Sequence, residues 1–174
     1  MLIRPEVETD RPAIAEVVER AFGSPLEARL VEAIRASPEY LAELAMVALV
    51  DGQVVGHVMI SRCRLIDDDS EHRIVMLSPL AVDPPHQRRG VGGALVRTVC
   101  GLADDRGEPL VVLEGDAGYY SRFGFGPAAE HGIALPLPDW APPEAAQVLP
   151  LSHDDPNMRG TVVYPDSFEM LDEA

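Results

Sequence analysis

The sequence predicts an α/β fold of the α+β kind: one mixed central sheet of about six or seven strands, flanked by about four helices. Three stretches carry that prediction. Residues 44–50 and 53–66 are apolar, β-branched runs joined by Asp51-Gly52, a strong hairpin signal. Residues 77–99 read as an apolar strand ending near Val82, a proline-stiffened turn, a glycine loop from Gln87 to Gly93, and a helix starting near Val91. Leu110-Val111-Val112-Leu113, a short apolar run after that helix, implies a parallel crossover.

The remaining elements follow in chain order. Leu2-Ile3-Arg4 is a short strand. Thr9 or Asp10 caps a helix whose apolar positions Ile14, Val17, Val18, Ala21 and Phe22 recur on one face. Ser24-Pro25-Leu26-Glu27 has the form of a capping box with proline at the first helical position, opening a second helix that turns Leu26, Leu30, Val31 and Ile34 inward. Glu27 then reads as a cap, and Asp67 to Glu71 as a solvated hairpin tip without the spacing of a calcium loop. Arg73 to Val82 is the next strand, and Pro79 within it, having no N–H, calls for a bulge or a parting from a neighbour. The helix from Val91 runs to Asp105, with Val91, Leu95, Val99 and Leu102 buried, and Gly107 and Pro109 stop it. Ala117 to Phe123 makes about two helical turns before Gly124-Phe125 leads into another strand. Residues 126–150 carry six prolines and read as arms and loops. Arg159 to Tyr164 is a terminal strand, and Phe168 onward a tail. Residues 1–174 are expected to form a single domain.

Composition narrows the partners. The net charge is −15, and all 14 basic residues are arginine. Such a surface repels phosphate backbones and favours cations, so no nucleic-acid partner is expected and an amine substrate suits it. No apolar run approaches the roughly 18–20 residues of a membrane helix, and the first residues lack the apolar stretch of a signal peptide. A cytoplasmic protein without a membrane partner is expected, and a homodimer is left open. Cys63 and Cys100 have no metal-ligand spacing, and no metal is expected.

The glycine loop is where chemistry concentrates. A strand end, a loop able to adopt positive φ, and a helix N-terminus with unpaired N–H groups form a site for a phosphate or pyrophosphate. The dinucleotide fingerprint and the P-loop pattern are both absent. Gln87-Arg88-Arg89-Gly90-Val91-Gly92 instead fits Q/R-x-x-G-x-G/A. That pattern resembles motif A of the GNAT superfamily, the acyl-CoA-dependent N-acetyltransferases. Tyr120 with Gly124-Phe125 matches the family's Y-x-x-x-G-F on the short helix after the fifth strand. The element order β-α-α-β-β-β-α-β-α-β-β is also the family's and covers essentially the whole chain. Val55-Gly56-His57, Leu80-Ala81-Val82, the Tyr-Tyr pair and the closing Gly-Thr-Val-Val-Tyr-Pro together look like the YhbS-like branch.

The resemblance implies a fold, an activity and a site. The sheet would part at the acyl-CoA site. Backbone groups of Leu80, Ala81 and Val82 would hold the pantetheine arm, and Gln87, Arg88, Arg89, Gly90, Val91, Gly92 and Gly93 the pyrophosphate. Acetyl-CoA would be the cosubstrate, its acetyl group passing directly to a primary amine of a small molecule, or of a protein or peptide. Tyr120 resembles the family's general acid, and a phenol stays protonated at neutral pH. The general base is left open among Glu114, Asp116, His57 and a water chain. A degenerate member that only binds acyl-CoA, as a sensor or interaction protein, is the alternative.

Overall fold

The computed structural model describes residues 1–171. In chain order the elements are β1 (Leu2–Pro5), α1 (Arg11–Phe22), α2 (Leu26–Arg35), β2 (Tyr40–Val50), β3 (Gln53–Asp67), β4 (Ser70–Val82), α3 (Val91–Asp105), β5 (Leu110–Glu114), α4 (Ala117–Tyr120), β6 (Gly126–Pro127), β7 (Ile133–Ala134), β8 (Ala146–Pro150) and β9 (Gly160–Val163). The main run of the sheet is β1-β2-β3-β4-β5-β8-β6, with β9 pairing β3 and β7. The sheet is mixed and mostly antiparallel, its parallel pairs being β4–β5 and β7–β9. The chain packs as two compact units: residues 1–61, 78–102 and the tail from 166 form one, residues 62–77 and 103–165 the other. Among the described residues no helix is long and apolar enough to cross a membrane.

In the first unit the β2–β3 hairpin turns on Asp51 (φ 50°) and Gly52 (φ 78°), the two positive values a type I′ turn demands. Ile14, Val17 and Val18 of α1 are buried as their spacing predicts, whereas Phe22 is 45% exposed. Neither expected helix cap forms. The Asp10 carboxylate takes both guanidinium nitrogens of Arg4 (2.6 and 2.9 Å) and the Val7 N–H (2.9 Å) instead of capping α1. At α2 the cap position falls on Pro25, so Glu27 is the helix's second residue and cannot close a box with Ser24. Ser24 Oγ accepts from the Leu26 N–H (3.0 Å), and Glu27 Oε2 is buried with no hydrogen-bond partner. The tail is ordered where it is described: Asp166–Leu171 is a 3₁₀ helix packed on α2, with Phe168 buried.

A buried polar cluster ties this unit together. Glu6, just past β1, is met by Arg35 from the end of α2 through Nε on Oε1 (2.7 Å) and Nη2 on Oε2 (2.8 Å). Tyr40 at the start of β2 donates its hydroxyl to Oε1 (3.0 Å), and His57 of β3 sets Nε2 against Oε2 (2.8 Å). The Arg35, Glu6 and His57 side chains are 4%, 3% and 0% exposed. Arg35 and His57 hold the Glu6 carboxyl well below the usual carboxylate range, overcoming a burial effect that acts the other way. Burial, with Glu6 second, pushes the Tyr40 phenol up to about 12. His57 is lowered, chiefly by burial. The cause is that Glu6 is already matched by Arg35, so a charged imidazole would add an uncompensated buried cation. His57 Nδ1 has no partner, which suits the neutral ring with Nε2 donating to Glu6.

In the second unit β4 and β5 pair through Val75–Val111 and Met76–Val112. Pro79 lies beyond those pairs and is joined to Ser78 by a cis peptide. The proline-rich segment departs from expectation at its end. There β8 pairs antiparallel along β5, from Leu110–Pro150 to Glu114–Ala146. Pro150 is tolerated because it closes the strand, where a missing N–H costs least. Strand β9 reaches β3 only because Gly160 (φ 135°) lacks a side chain: a Cβ there would stand 2.3 Å from the Ile66 carbonyl oxygen. Arg62 clamps the buried Glu108 carboxylate with both terminal nitrogens (2.6 and 2.8 Å).

These shifts set the acid sensitivity of the fold. With His57 depressed in the folded state, the unfolded chain takes up a proton first as pH falls below roughly 6.5. Stability is then lost on acidification, by at most about 1.4 kcal/mol per pH unit for that proton. Glu6 is likewise depressed, so a second loss begins below about 4.3, the unfolded value of a glutamate. Urea unfolding at pH 7.5, 6 and 5 is expected to show the first decline, and a His57→Asn variant to show less of it. Parallel profiles for the two proteins would mean that His57 titrates alike in the folded and unfolded chain.

Candidate active site

In the first unit the end of β4 and the loop after it are fixed by backbone and side-chain hydrogen bonds. Ala81 is buried, with Leu80 and Val82 half-buried on either side. The Asp83 N–H donates to the Val55 carbonyl (2.9 Å), keeping the strand exit against β3. Pro84–His86 then makes one 3₁₀ turn, and the Asp83 carboxylate takes Arg20 Nε from α1 (2.9 Å). Gln87 folds its amide back onto the Val82 carbonyl (3.0 Å). Arg88 (φ 59°) and Gly90 (φ 86°) both lie in the left-handed region, the first an uncommon conformation for a residue with a side chain. These two reversals deliver the chain into α3, whose first turn closes with the Ala94 N–H on the Gly90 carbonyl (3.0 Å). The N–H groups of Val91, Gly92 and Gly93 precede the first intrahelical donor, so the helix directs them and its positive end at the loop. Such an arrangement suits a phosphate or pyrophosphate.

Gly56 positions this loop, and only the family resemblance marks it in the sequence. A Cβ on Gly56 would stand 2.9 Å from Leu95 Cδ1, 3.1 Å from Val91 Cγ1 and 3.3 Å from the Ala81 carbonyl. Its bare backbone therefore lets the first turns of α3 lie against β3 beside the end of β4.

In the second unit Glu114 ends β5, and Asp116 caps α4, its Oδ1 accepting the Tyr119 N–H (2.6 Å). Helix α4 and the 3₁₀ turn Ser121–Phe123 give the expected two turns, and Gly124 (φ 91°) ends them in the left-handed conformation. The Tyr120 ring packs edge-on against Tyr119 (4.9 Å between centroids) and the buried Phe125 (5.7 Å). Gly115 makes room for it: a Cβ there would stand 2.5 Å from Tyr120 Cε2. Tyr119 faces the other way chemically, with the Arg122 guanidinium 4.6 Å from its ring centroid.

The candidates for a base separate. Asp116 is committed to its cap and exposed. His57 is buried on Glu6 in the first unit. Glu114 is half-buried and accepts a hydrogen bond from the Tyr164 hydroxyl, just past β9. Burial first, and then Glu114, drive the Tyr164 phenol far above its ordinary value, so it acts as a fixed donor. No local pattern announces this contact, whose partners are 50 residues apart. Burial pushes both Cys63 and Cys100 up to about 12, which leaves no thiolate nucleophile at neutral pH. Among the described residues no cluster of His, Cys, Asp or Glu is placed to hold a metal ion.

Residues 3–128 match the family model described as an acetyltransferase (GNAT) domain. Over 171 residues the chain is 36% identical to the uncharacterized N-acetyltransferase YhbS of Escherichia coli K12, covering 97% of this chain and 98% of that one. The chain belongs to the GNAT family of acetyltransferases. Another relative, YjhQ of the same organism, is 36% identical over 75% of this chain and 73% of its own. The GNAT fold is matched closely by the crystal structure of E. coli YhbS in complex with CoA: TM-score 0.87 and 34% identity, over 97% of this chain and 91% of that one. A GNAT acetyltransferase from Brucella melitensis in complex with acetyl-CoA gives 0.77 and 31%, over 96% and 97%.

The expected GNAT site residues thus fall in two groups. Leu80, Ala81, Val82 and the residues from Gln87 to Gly93 come together in the first unit, and Tyr120 lies with Glu114 in the second. Gly56, Gly115 and Tyr164 are the additions the sequence reading did not assign to the site.

Proposed function

We propose that this acetyltransferase binds acetyl-CoA along the end of β4 and on the glycine loop, and transfers the acetyl group directly to a primary amine of a small cationic acceptor. The observation that carries the reading is the pair of left-handed residues, Arg88 and Gly90, that aim the N-terminus of α3 at the loop. Two structural relatives hold CoA or acetyl-CoA, which supports the same choice of ligand. Backbone groups of Leu80, Ala81 and Val82 hold the pantetheine arm, and the loop from Gln87 to Gly93 takes the pyrophosphate. A backbone amide on that strand end polarises the thioester carbonyl, an oxyanion-type contact. The exposed Arg88 and Arg89 suit the remaining phosphate charge.

The chemistry takes two protons from the nitrogen and delivers one to the sulfur. An alkyl amine titrates near 10 and must lose a proton before its nitrogen can attack the thioester carbon. Glu114, steadied by Tyr164, takes that proton, directly or through one water. The carbon–sulfur bond then breaks, the Tyr120 hydroxyl protonates the departing thiolate, and the second proton that the nitrogen sheds on becoming an amide passes through water to refill Tyr120. With both cysteines held as thiols, no acetyl-cysteine forms and both substrates bind before transfer. The net charge of −15 supports a cationic acceptor and a location where such amines are dissolved, the cytoplasm.

Three measurements test this. Gly92→Val places a branched side chain where the pyrophosphate approaches, and calorimetry is expected to show acetyl-CoA affinity falling at least about tenfold, some 1.4 kcal/mol. Unchanged affinity in a folded variant puts the cofactor elsewhere. Tyr120→Phe keeps the ring packing and removes the donor: kcat for CoA release should fall about 100-fold or more, with acetyl-CoA affinity kept, while Tyr119→Phe does much less. A Tyr120→Phe enzyme within about twofold of wild type, chemistry being rate-limiting, makes Tyr120 a packing residue. Glu114→Gln should lower kcat/KM for the amine by about 100-fold and steepen its rise with pH as free base becomes available. If no amine in a broad screen releases CoA, the protein binds acyl-CoA without transferring it.

A further inference from the structure

Trp140 is the chain's single tryptophan, and it is 85% exposed. Indole is the largest apolar side chain and is as a rule highly buried. The segment that carries it, residues 136–145, is unusually stiff: Pro136, Pro138, Pro142 and Pro143 each fix φ. Two turns brace it further, with the Ala141 N–H on the Pro138 carbonyl and the Ala145 N–H on the Pro142 carbonyl (2.9 Å each). An exposed indole on a braced backbone is presented at little entropic cost, which is how a recognition element is built.

The arm ends at the residues assigned to acceptor chemistry. The Ala145 carbonyl accepts the Gly115 N–H (3.0 Å), Gln147 Nε2 donates to the Gly115 carbonyl (3.1 Å), and Ala146 pairs with Glu114. Five residues span at most about 18 Å, so Trp140 stays within that reach of Ala145. Charge selects the occupant. From Gly132 to Ser152 there is no Arg, Lys or His, while Asp139 precedes Trp140 directly and Glu144 follows it on the same arm, both exposed. The face of an indole attracts cations, and the two carboxylates add to that preference. A protein or lipid partner would call for neighbouring exposed apolar side chains, but Leu135 is buried and Leu137 half-buried.

We propose that Trp140, flanked in the chain by Asp139 and Glu144, is the acceptor-recognition element, receiving on its indole face an ammonium group of the acceptor other than the nitrogen that is acetylated. This rests on the reading of the acceptor as a cationic amine. Because Trp140 is the only tryptophan, intrinsic fluorescence of the full-length protein reports on it without a label. Diamines from 1,4-diaminobutane to 1,6-diaminohexane are screened by CoA release, with 1,4-butanediol and succinate as uncharged and anionic controls. Each amine that is acetylated is expected to change Trp140 emission saturably, at concentrations near its KM, and the controls to leave it unmoved. Trp140→Leu should raise the amine KM about fivefold or more with kcat kept within about threefold, and Trp140→Phe should restore part of the loss. Emission unmoved by a saturating acetylated amine overturns the inference while leaving the activity standing. So does an unchanged KM in Trp140→Leu, or emission that shifts with protein concentration alone, the sign of a second copy covering the indole. If no amine releases CoA, the amine reading fails first and this inference falls with it.

Discussion

The buried carboxylate of Glu6 is the constraint on which the first unit is built. Two oxygens accept four hydrogen bonds, from two Arg35 nitrogens, the Tyr40 hydroxyl and His57. That is about the full acceptor capacity of a carboxylate, so the desolvation of the charge is matched bond for bond. The partners come from the end of α2, the start of β2 and the middle of β3, and each must be in place for the others to be tolerated. Removing Arg35 would leave a buried charge uncompensated, at a cost of about 3–5 kcal/mol. The consequence reaches the glycine loop through the pleat of β3. Successive residues face opposite sides of a strand, so anchoring His57 toward Glu6 aims Gly56 the other way. There its missing Cβ lets Val91 and Leu95 of α3 come close to Ala81. An ion pair on one face thus sets where the helix N-terminus lies on the other.

Arginine supplies this architecture throughout. All 14 basic residues are arginine, and the buried or half-buried carboxylates Asp10, Glu6 and Glu108 are each gripped by two nitrogens of one guanidinium. A lysine ammonium offers a point charge and cannot make that planar fork. With 29 acidic residues against 14 basic ones, the few cations are spent on specific pairs rather than on general neutralisation. Arg88 and Arg89, exposed on the glycine loop, are therefore informative about the charge of what binds there.

What local sequence governs was legible, and what distant partners govern was not. Helix α3 runs from Val91 to Asp105 as read, because a glycine before it and Gly107 after it mark both ends within a few residues. The Asp51-Gly52 hairpin is equally local. The caps were misread for the opposite reason: Arg4 captured the carboxylate of Asp10, and Pro25 shifted the start of α2 by one residue. Strand β8 hid among prolines because its evidence lies in β5, some 35 residues earlier in the chain. Phe168 read as a tail because what buries it is α2. At the site the glycine loop and Tyr120 were visible as motifs, whereas the base was left open among four alternatives, and the contact with Tyr164 is the ground on which Glu114 is proposed over the capped Asp116 and the buried His57.

The two groups of site residues differ in kind, and that difference has consequences for specificity. In the proposed site the β4 end and the glycine loop would act through backbone N–H and C=O groups, which side-chain substitution hardly alters so long as Gly56 and Gly90 remain. The second unit would act through side chains, with Glu114 held by Tyr164 and Tyr120 seated on Gly115. Its arm from residue 136 to 145 is held at its end by the Gly115–Ala145 hydrogen bond and braced by two turns, while Asp139, Trp140 and Glu144 on it are exposed. A backbone-built site accepts one ligand and keeps it as the chain diverges. A side-chain-built site beside a substitutable arm can change its second substrate without disturbing the first, because a new residue on the arm alters no hydrogen bond that holds β5 to β8.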